Sequence, residues 1–278
     1  MKNILITGAG SYIGQTFEAY IKEHCAEDIR VSTVDTMTDS WKQTDFSAYD
    51  CVFHVAGIAH RKETRENAPL YYAVNRDLTV QIAETAKAAG VKQFVFLSSM
   101  SVYGMETGHI TRQTKPNPKS NYGKSKLEAE QGLAPLADDT FTVTVLRPPM
   151  VYGKNCRGNF QTVVKLVKKL PFFPKVNNRR SMIYIENLCA YVVYCIREEL
   201  GGLHLPQNTQ YMNTSDMAGY IAASLNKKLA LSGFLGFGVK VLLLFLKPAQ
   251  KAFGSLTYEQ ENVPVVMHTN EESVKDSV

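Results

Sequence analysis

None of the five cysteines (Cys25, Cys51, Cys156, Cys189, Cys195) stands in a Cys-x-x-Cys pair, and their spacing resembles no metal site. An odd, scattered set points to reduced, buried thiols and away from a disulfide scaffold or a metal centre. Also missing is a block of consecutive basic residues. Net charge is +5 and pI about 8.8, which excludes a nucleic-acid tail and favours a small phosphorylated ligand. Internal repeats and low-complexity tracts are absent too. No run is long enough to cross a bilayer. The most apolar stretch, from Gly233 to Leu246, is broken by Lys240 and carries three glycines. It reads first as a packing or dimer helix and only second as a membrane-surface patch, so peripheral membrane contact is not expected. No signal peptide is seen, because Met1-Lys2 runs straight into a strand-like Asn3-Ile4-Leu5-Ile6-Thr7. With reduced thiols, this gives cytoplasmic localisation as the expectation.

What is present alternates strand and helix over the first 150 residues, which predicts a parallel sheet covered by helices on both faces. Ile4-Leu5-Ile6 leads into Gly8-Ala9-Gly10-Ser11-Tyr12-Ile13-Gly14 and then an amphipathic helix to about Glu23. A strand, a glycine turn and a helix N-terminus can hold a pyrophosphate. The spacing is Gly-x-Gly-x-x-x-Gly, and a tight turn that merely needs glycine is an equal alternative. The next strand, Ile29 to Val34, ends in Asp35, 21 residues past Gly14. A carboxylate there suits two ribose hydroxyls and repels a 2′-phosphate, so NAD is favoured over NADP. Asp45 is a second, weaker candidate, at the adenine edge.

Cys51 to Gly57 predicts a third buried strand ending in Ala56 and Gly57, small enough for a cofactor to lie on the backbone. His54 alternates with apolar neighbours and reads as a satisfied core histidine. A helix is predicted from Asn67 to Ala89, with Asn75 on its apolar stripe bracing the strand ends. Phe94 to Leu97 predicts a fourth strand, followed by Ser98 and Ser99. Thr140 to Leu146 predicts a fifth, ended by Pro148 and Pro149. Beyond it, Asn159 to Leu170 reads as a basic helix, and Pro171 to Pro174 as a loop. Arg179-Arg180 beside a short strand suits a phosphate, with a solvated basic edge as the alternative. The tail from Glu259 is expected to be only partly ordered.

Tyr122 and Lys126 lie four apart at the start of a helical pattern, on one face. With 14 tyrosines and 21 lysines in the chain, roughly one Tyr-x-x-x-Lys pair is expected by chance. Placement gives the pair its weight: it follows a strand ending in serines, behind a glycine turn and an acid-tipped second strand.

On these residues the chain resembles the extended short-chain dehydrogenase/reductases, in the NAD-dependent epimerase/dehydratase family, over about residues 1 to 225. The resemblance implies a Rossmann-type doubly wound α/β sheet with a smaller mixed α/β C-terminal substrate region. The NAD domain is placed at 1–150, with a segment near 181–200 returning to it, and the substrate region at 151–278. Tyr122 becomes the catalytic base, Lys126 its partner on ribose hydroxyls, and Ser99 the hydroxyl at the substrate. Gly8, Gly10, Ser11, Tyr12, Ile13, Gly14, Asp35, Asp45, Ala56, Gly57, Asn75 and Pro148 are expected at the cofactor, together with Tyr122 and Lys126. Ser101, Asn159 and Arg180 join Ser99 at the substrate, with Arg180 on its diphosphate, and no metal is expected.

Three positions depart from the family pattern. Ser11 replaces a second glycine. The C-terminal end lacks a clear match to the last substrate-binding segment of longer epimerases. Met100 and Ser101 stand where 4,6-dehydratases carry an Asp-Glu pair. Elimination needs one group to take a proton and another to give one, and these two residues do neither. The implied activity is therefore 4-epimerisation of a UDP-hexose, through a transient 4-keto sugar, by a homodimer. The alternative on the same scaffold is an NAD(P)H-dependent 4-keto-sugar reductase; a non-catalytic dinucleotide sensor is a third reading.

Overall fold

A computed structural model describes residues 1–59 and 63–278. The first elements are β1 (Lys2–Thr7), α1 (Tyr12–His24), β2 (Ile29–Val34), β3 (Cys51–His54), α2 (Ala68–Tyr72), α3 (Leu78–Ala88) and β4 (Gln93–Leu97). There follow β5 (Gly108–Ile110), α4 (Asn121–Leu133), β6 (Thr142–Leu146), β7 (Met150–Tyr152), α5 (Asn159–Lys169), β8 (Phe172–Pro174) and β9 (Met182–Tyr184). The chain closes with α6 (Ile185–Arg197), β10 (Gly202–His204), α7 (Thr214–Ser224), β11 (Ala230–Ser232), α8 (Gly233–Phe245), α9 (Lys247–Phe253), β12 (Leu256–Tyr258) and α10 (Asn270–Ser277). It divides into two compact units.

The first unit comprises Met1–Gly104, Pro116–Pro148 and Leu188–Pro206. Its six strands pair in parallel in the order β10-β6-β4-β3-β1-β2. This is the expected doubly wound sheet. Strand order reverses at β1, so the carboxyl ends of β1 and β3 open a crevice there. Alternate residues of buried strands face opposite ways. Leu5, Val52, Phe94 and Phe96 join Ile82, Ala86, Ala129 and Leu133 from α3 and α4 in one core cluster. On the other face Phe53 meets Phe17 of α1 edge to face at 4.8 Å. Both faces are covered, and so the strands read as unbroken apolar runs.

The predicted 67–89 helix is interrupted. Residues Ala73–Asp77 form a π-helical turn between α2 and α3, with Asn75 buried inside it. Such a bulge turns one side chain out of register. Here it lets Asn75 accept from the Ile58 N–H at 2.7 Å and donate to the Ile58 carbonyl at 3.1 Å, bracing the chain just beyond β3. His54 is fully buried, stacked on Phe94, and held between the hydroxyls of Thr7 at 2.7 Å and Thr79 at 2.9 Å. It is the satisfied core histidine its alternation predicts. The five cysteines are buried free thiols.

The second unit comprises Met105–Lys115, Pro149–Asn187 and Gln207–Val278. It is built from three two-stranded parallel ribbons, β11-β8, β12-β5 and β7-β9, with helices around them. Two expectations change here. Residues 172–174, read as a loop, form β8, because β11 supplies a partner some sixty residues downstream that local pattern does not reveal. The tail, read as partly ordered, ends in α10. Thr269 and Glu272 form a reciprocal capping box, and Ser273 meets the buried Tyr152 hydroxyl at 2.6 Å. Its polar surface hides buried Asn270, Ser273, Val274 and Ser277. The apolar 233–246 run folds as α8. Its inner side, at Gly236, lies against the Lys175 backbone, while Phe234, Phe237 and Phe245 are 85%, 67% and 78% exposed.

Burial holds the His54 pKa down at about 3. Below an unfolded value near 6.5 the unfolded chain takes up a proton that the native state refuses. Stability should therefore fall as pH drops from 6.5 toward 3, by at most about 1.4 kcal/mol per pH unit from this group. His54→Leu should be less stable at neutral pH, since the buried Thr7 hydroxyl loses its partner and Thr79 keeps only the Asn75 carbonyl, and should show a shallower acid limb. Urea midpoints measured from pH 7 to pH 4 check this; an unchanged acid limb would contradict it.

Candidate active site

The site lies in the first unit, where β1, β3, β4 and β6 end. The turn after β1 is set by backbone approach. The Gly8 and Ala9 N–H groups both donate to the Val34 carbonyl, at 3.0 and 3.1 Å. A Cβ on Gly8, whose φ is +99°, would stand 2.9 Å from the Ala56 backbone. So the glycine turn, the Asp35 that follows Val34 and the Ala56-Gly57 pair after β3 are gathered by main-chain contacts. Ser11, the departure from the glycine pattern, is the N-cap of α1: its hydroxyl accepts from Gly14 N at 3.2 Å. The substitution trades a glycine for a helix cap. The first turn of α1 contains no acid, so its positive end is uncompensated toward an anionic ligand. Asp35 is exposed, with one carboxylate oxygen accepting from Met37 N at 2.9 Å. Asp45 caps the short 3-10 turn Phe46–Ala48 through Ser47, which gives it a structural task.

α4 carries Tyr122 and Lys126. Ser120 caps it, and the Glu63 carboxylate reinforces the cap, accepting from Asn121 N at 2.9 Å and Tyr122 N at 3.1 Å. One turn further in, the Ser125 hydroxyl donates to the Tyr122 carbonyl at 3.0 Å and accepts from Asn75 at 3.1 Å. The helix is pressed onto the 3-10 turn Met100–Tyr103, which Ser99 caps. A Cβ on Gly123 would lie 2.5 Å from the Ser101 carbonyl, so only glycine permits this approach. Met100 N in turn donates to the Pro148 carbonyl at 2.9 Å, fixing Pro148 behind the turn.

This packing brings Ser99 to Tyr122. Desolvation raises the phenol's pKa, and the nearby Ser99 hydroxyl opposes part of that rise. Ser99 also accepts from Ser101 N at 3.1 Å, and its hydroxyl lies 3.2 Å from that of Ser101. Lys126, one turn along, is 4% exposed. Its Nζ donates to the Leu97 carbonyl at 2.8 Å and sits 4.6 Å from the Phe96 ring centroid. Burial lowers its pKa to about 7, partly opposed by Glu130. The space beside it is limited by Gly57, where a Cβ would come within 3.3 Å of Nζ and 3.0 Å of Asn75 Oδ1.

Sequence reasoning missed the buried ion pair under this site. Glu130, one further turn along α4, accepts from the Ser98 hydroxyl. Arg147 reaches both of its oxygens, at 3.0 and 2.5 Å, and donates to the Tyr103 hydroxyl at 2.8 Å. Both charged side chains are under a tenth exposed. The signal was the spacing 122, 126, 130 on one helix face. Asn159 and Arg180 belong to the second unit. Asn159 is exposed at the start of α5. Arg180 donates to the Gly254 carbonyl at 2.7 Å, and burial lowers its pKa against an opposing pull from Glu106.

The NAD dependent epimerase/dehydratase family model matches residues 4–204, most of the chain and all of this site. The chain belongs to this family. It is 31% identical over 253 residues to a UDP-glucose 4-epimerase of Vibrio cholerae, covering 81% of this chain and 76% of that one. It is 24% identical over 245 residues to an N-acetyl-alpha-D-glucosaminyl-diphospho-ditrans,octacis-undecaprenol 4-epimerase of Escherichia coli O157:H7, covering 82% and 73%. The fold matches that of a UDP-glucuronic acid 4-epimerase from Bacillus cereus in complex with NAD, with TM-score 0.75, 18% identity, and coverage of 99% and 94%. The residues present fit the family's dinucleotide. Gly8 leaves a cradle over Ala56, α1 points its N-terminus into the turn, and Asp35 sits beside it.

Removing one partner of a buried ion pair strands the other charge, at roughly 3–5 kcal/mol. Arg147→Met should lose that much stability in urea unfolding. The Glu130→Gln/Arg147→Met double variant should lose clearly less than the two single losses combined. Simple additivity would show that the pair is not coupled.

Proposed function

We propose that this family member is a sugar-nucleotide 4-epimerase that oxidises and re-reduces C4 of a UDP-hexose. The observation that carries the reading is the meeting of Ser99, Tyr122 and Lys126 at one end of the sheet. When bound, NAD supplies a reversible hydride acceptor. Gly8, Gly10, Ser11 and Gly14 would hold its pyrophosphate at the α1 N-terminus, and Asp35 would take a ribose.

The chain's own residues manage the proton and the sugar. Tyr122 takes the proton of the 4-hydroxyl as general base, and Ser99 hydrogen-bonds the same oxygen. In the free protein the phenol holds its proton tightly because it is desolvated. A cation beside it favours the phenolate, and Lys126, tethered to the Leu97 carbonyl, is that cation while protonated. Arg180 and Asn159 anchor the diphosphate while the 4-keto sugar turns to offer its other face, and Tyr122 returns the proton. Met100 and Ser101 in the 3-10 turn offer no acid–base pair for dehydration.

A second reading keeps the chemistry and changes the carrier to a polyprenyl diphosphate. The exposed phenylalanines of α8 favour it, as does the undecaprenol-linked sugar epimerase among the relatives.

Incubation with UDP-glucose, UDP-galactose, their N-acetylhexosamine counterparts and a polyprenyl-diphosphate hexosamine, with and without NADH, tests these readings. Epimerase action predicts product without stoichiometric NADH use. With a UDP-4-keto-hexose added as a further substrate, consumption of one NADH per molecule of it reduced, with no epimer formed from the 4-hydroxy sugars, would make it a 4-keto-sugar reductase. Tyr122→Phe should lower kcat by roughly 10²–10⁴ while NAD binding persists; full activity would remove Tyr122 from the reaction. Because the base must be unprotonated while Lys126 keeps its proton, kcat/KM of the wild type should rise from pH 6 to about 7 and then level off.

A further inference from the structure

We propose that the outer face of α8 docks on an anionic lipid bilayer, lying in the plane of the interface. At 3.6 residues per turn, Phe234, Phe237, Val241 and Phe245 form one stripe, and all four are exposed, at 85%, 67%, 42% and 78%. The opposite side is occupied: Gly236 is buried against the Lys175 backbone, and Val239 and Leu243 are half-buried. Apart from Lys240 the helix therefore has apolar side chains on most of its circumference, but the protein covers only one side. On the ribbon that α8 packs against, Phe172 and Leu231 are also exposed, at 46% and 43%. A run of large apolar side chains this continuous is unusual on a free surface.

Charge selects the occupant. From residue 217 to 258 the sequence contains no aspartate or glutamate and five lysines, at 227, 228, 240, 247 and 251. Across residues 149–187 and 207–258, thirteen lysines and arginines face two acids. Lys228, Lys240 and Lys251 are exposed. In a two-fold dimer through this face, each copy would offer lysines to the other's lysines with no acid in the stretch to pair them. An anionic membrane surface offers what the stripe and its lysines require together, acyl chains for the phenylalanines and phosphates for the ammonium groups. Spanning is excluded by length. Thirteen residues reach about 20 Å at 1.5 Å each, against a hydrocarbon core of about 30 Å, and among the described residues no helix is long and apolar enough to cross. A dimer, where one forms, uses another face.

Flotation of the full-length protein with phosphatidylcholine vesicles, with and without phosphatidylglycerol, tests this independently of any sugar chemistry. The wild type should float with the phosphatidylglycerol vesicles and release as salt rises. The Phe234→Ser/Phe237→Ser/Phe245→Ser variant should bind at least about tenfold less, with an unchanged thermal midpoint because these side chains are already in water. Lys228→Glu/Lys240→Glu/Lys251→Glu should lose the preference for anionic lipid. The proposal is overturned if the wild type stays with the buffer, or if the serine variant floats equally well. It is also overturned if light scattering shows the serine variant breaking an oligomer while the wild type ignores vesicles.

Discussion

A lysine side chain taken almost wholly out of water is the constraint on which the site depends. Lys126 keeps one backbone carbonyl, that of Leu97, and the face of Phe96 as compensation. A buried ammonium is costly, and its lowered pKa expresses that cost. It can persist only if α4 is held rigidly at the end of β4. The surrounding contacts serve that end. Glu63 and Ser120 fix the helix start, Asn75 and Ser125 brace its first turns, and Gly123 lets it approach the 3-10 turn. Ser99 and Tyr122 then meet because both ride on these fixed pieces.

The Glu130–Arg147 pair extends the same logic one turn deeper. It places a negative charge behind Lys126, which partly restores the proton that burial would remove. It also ties α4 to the residue that follows β6. Buried charges of this kind are weak sources of stability, and their value here is in fixing position. The arrangement fits a site that must alternately release and accept a proton without letting its cation drift.

Much of this was legible from residue order, because strand, glycine turn and helix are local patterns. The parallel sheet, the bracing role of Asn75 and the satisfied state of His54 all follow from periodicity and from the need to pair buried polar groups. Elements that depend on distant partners were not legible. β8 exists because β11 lies beside it, and α10 is ordered by Tyr152 and Asn208, far from it in sequence. Glu130 drew no reading from the sequence, although it shares a helical face with Tyr122 and Lys126. Ser11 reads as a defect in a glycine pattern until its hydroxyl is seen capping Gly14. The 233–246 run reads as a packing or dimer helix, and Gly236 lets α8 pack closely while its phenylalanines face outward.

The central claim is that hydrogen leaves C4 of the sugar and returns to the same carbon within one turnover at the Ser99–Tyr122–Lys126 site. Turnover of UDP-glucose carrying deuterium at C4 tests it most directly. The account predicts UDP-galactose with deuterium retained at C4 and no lasting change in nicotinamide absorbance. Deuterium lost to solvent, or no UDP-galactose formed, would contradict it.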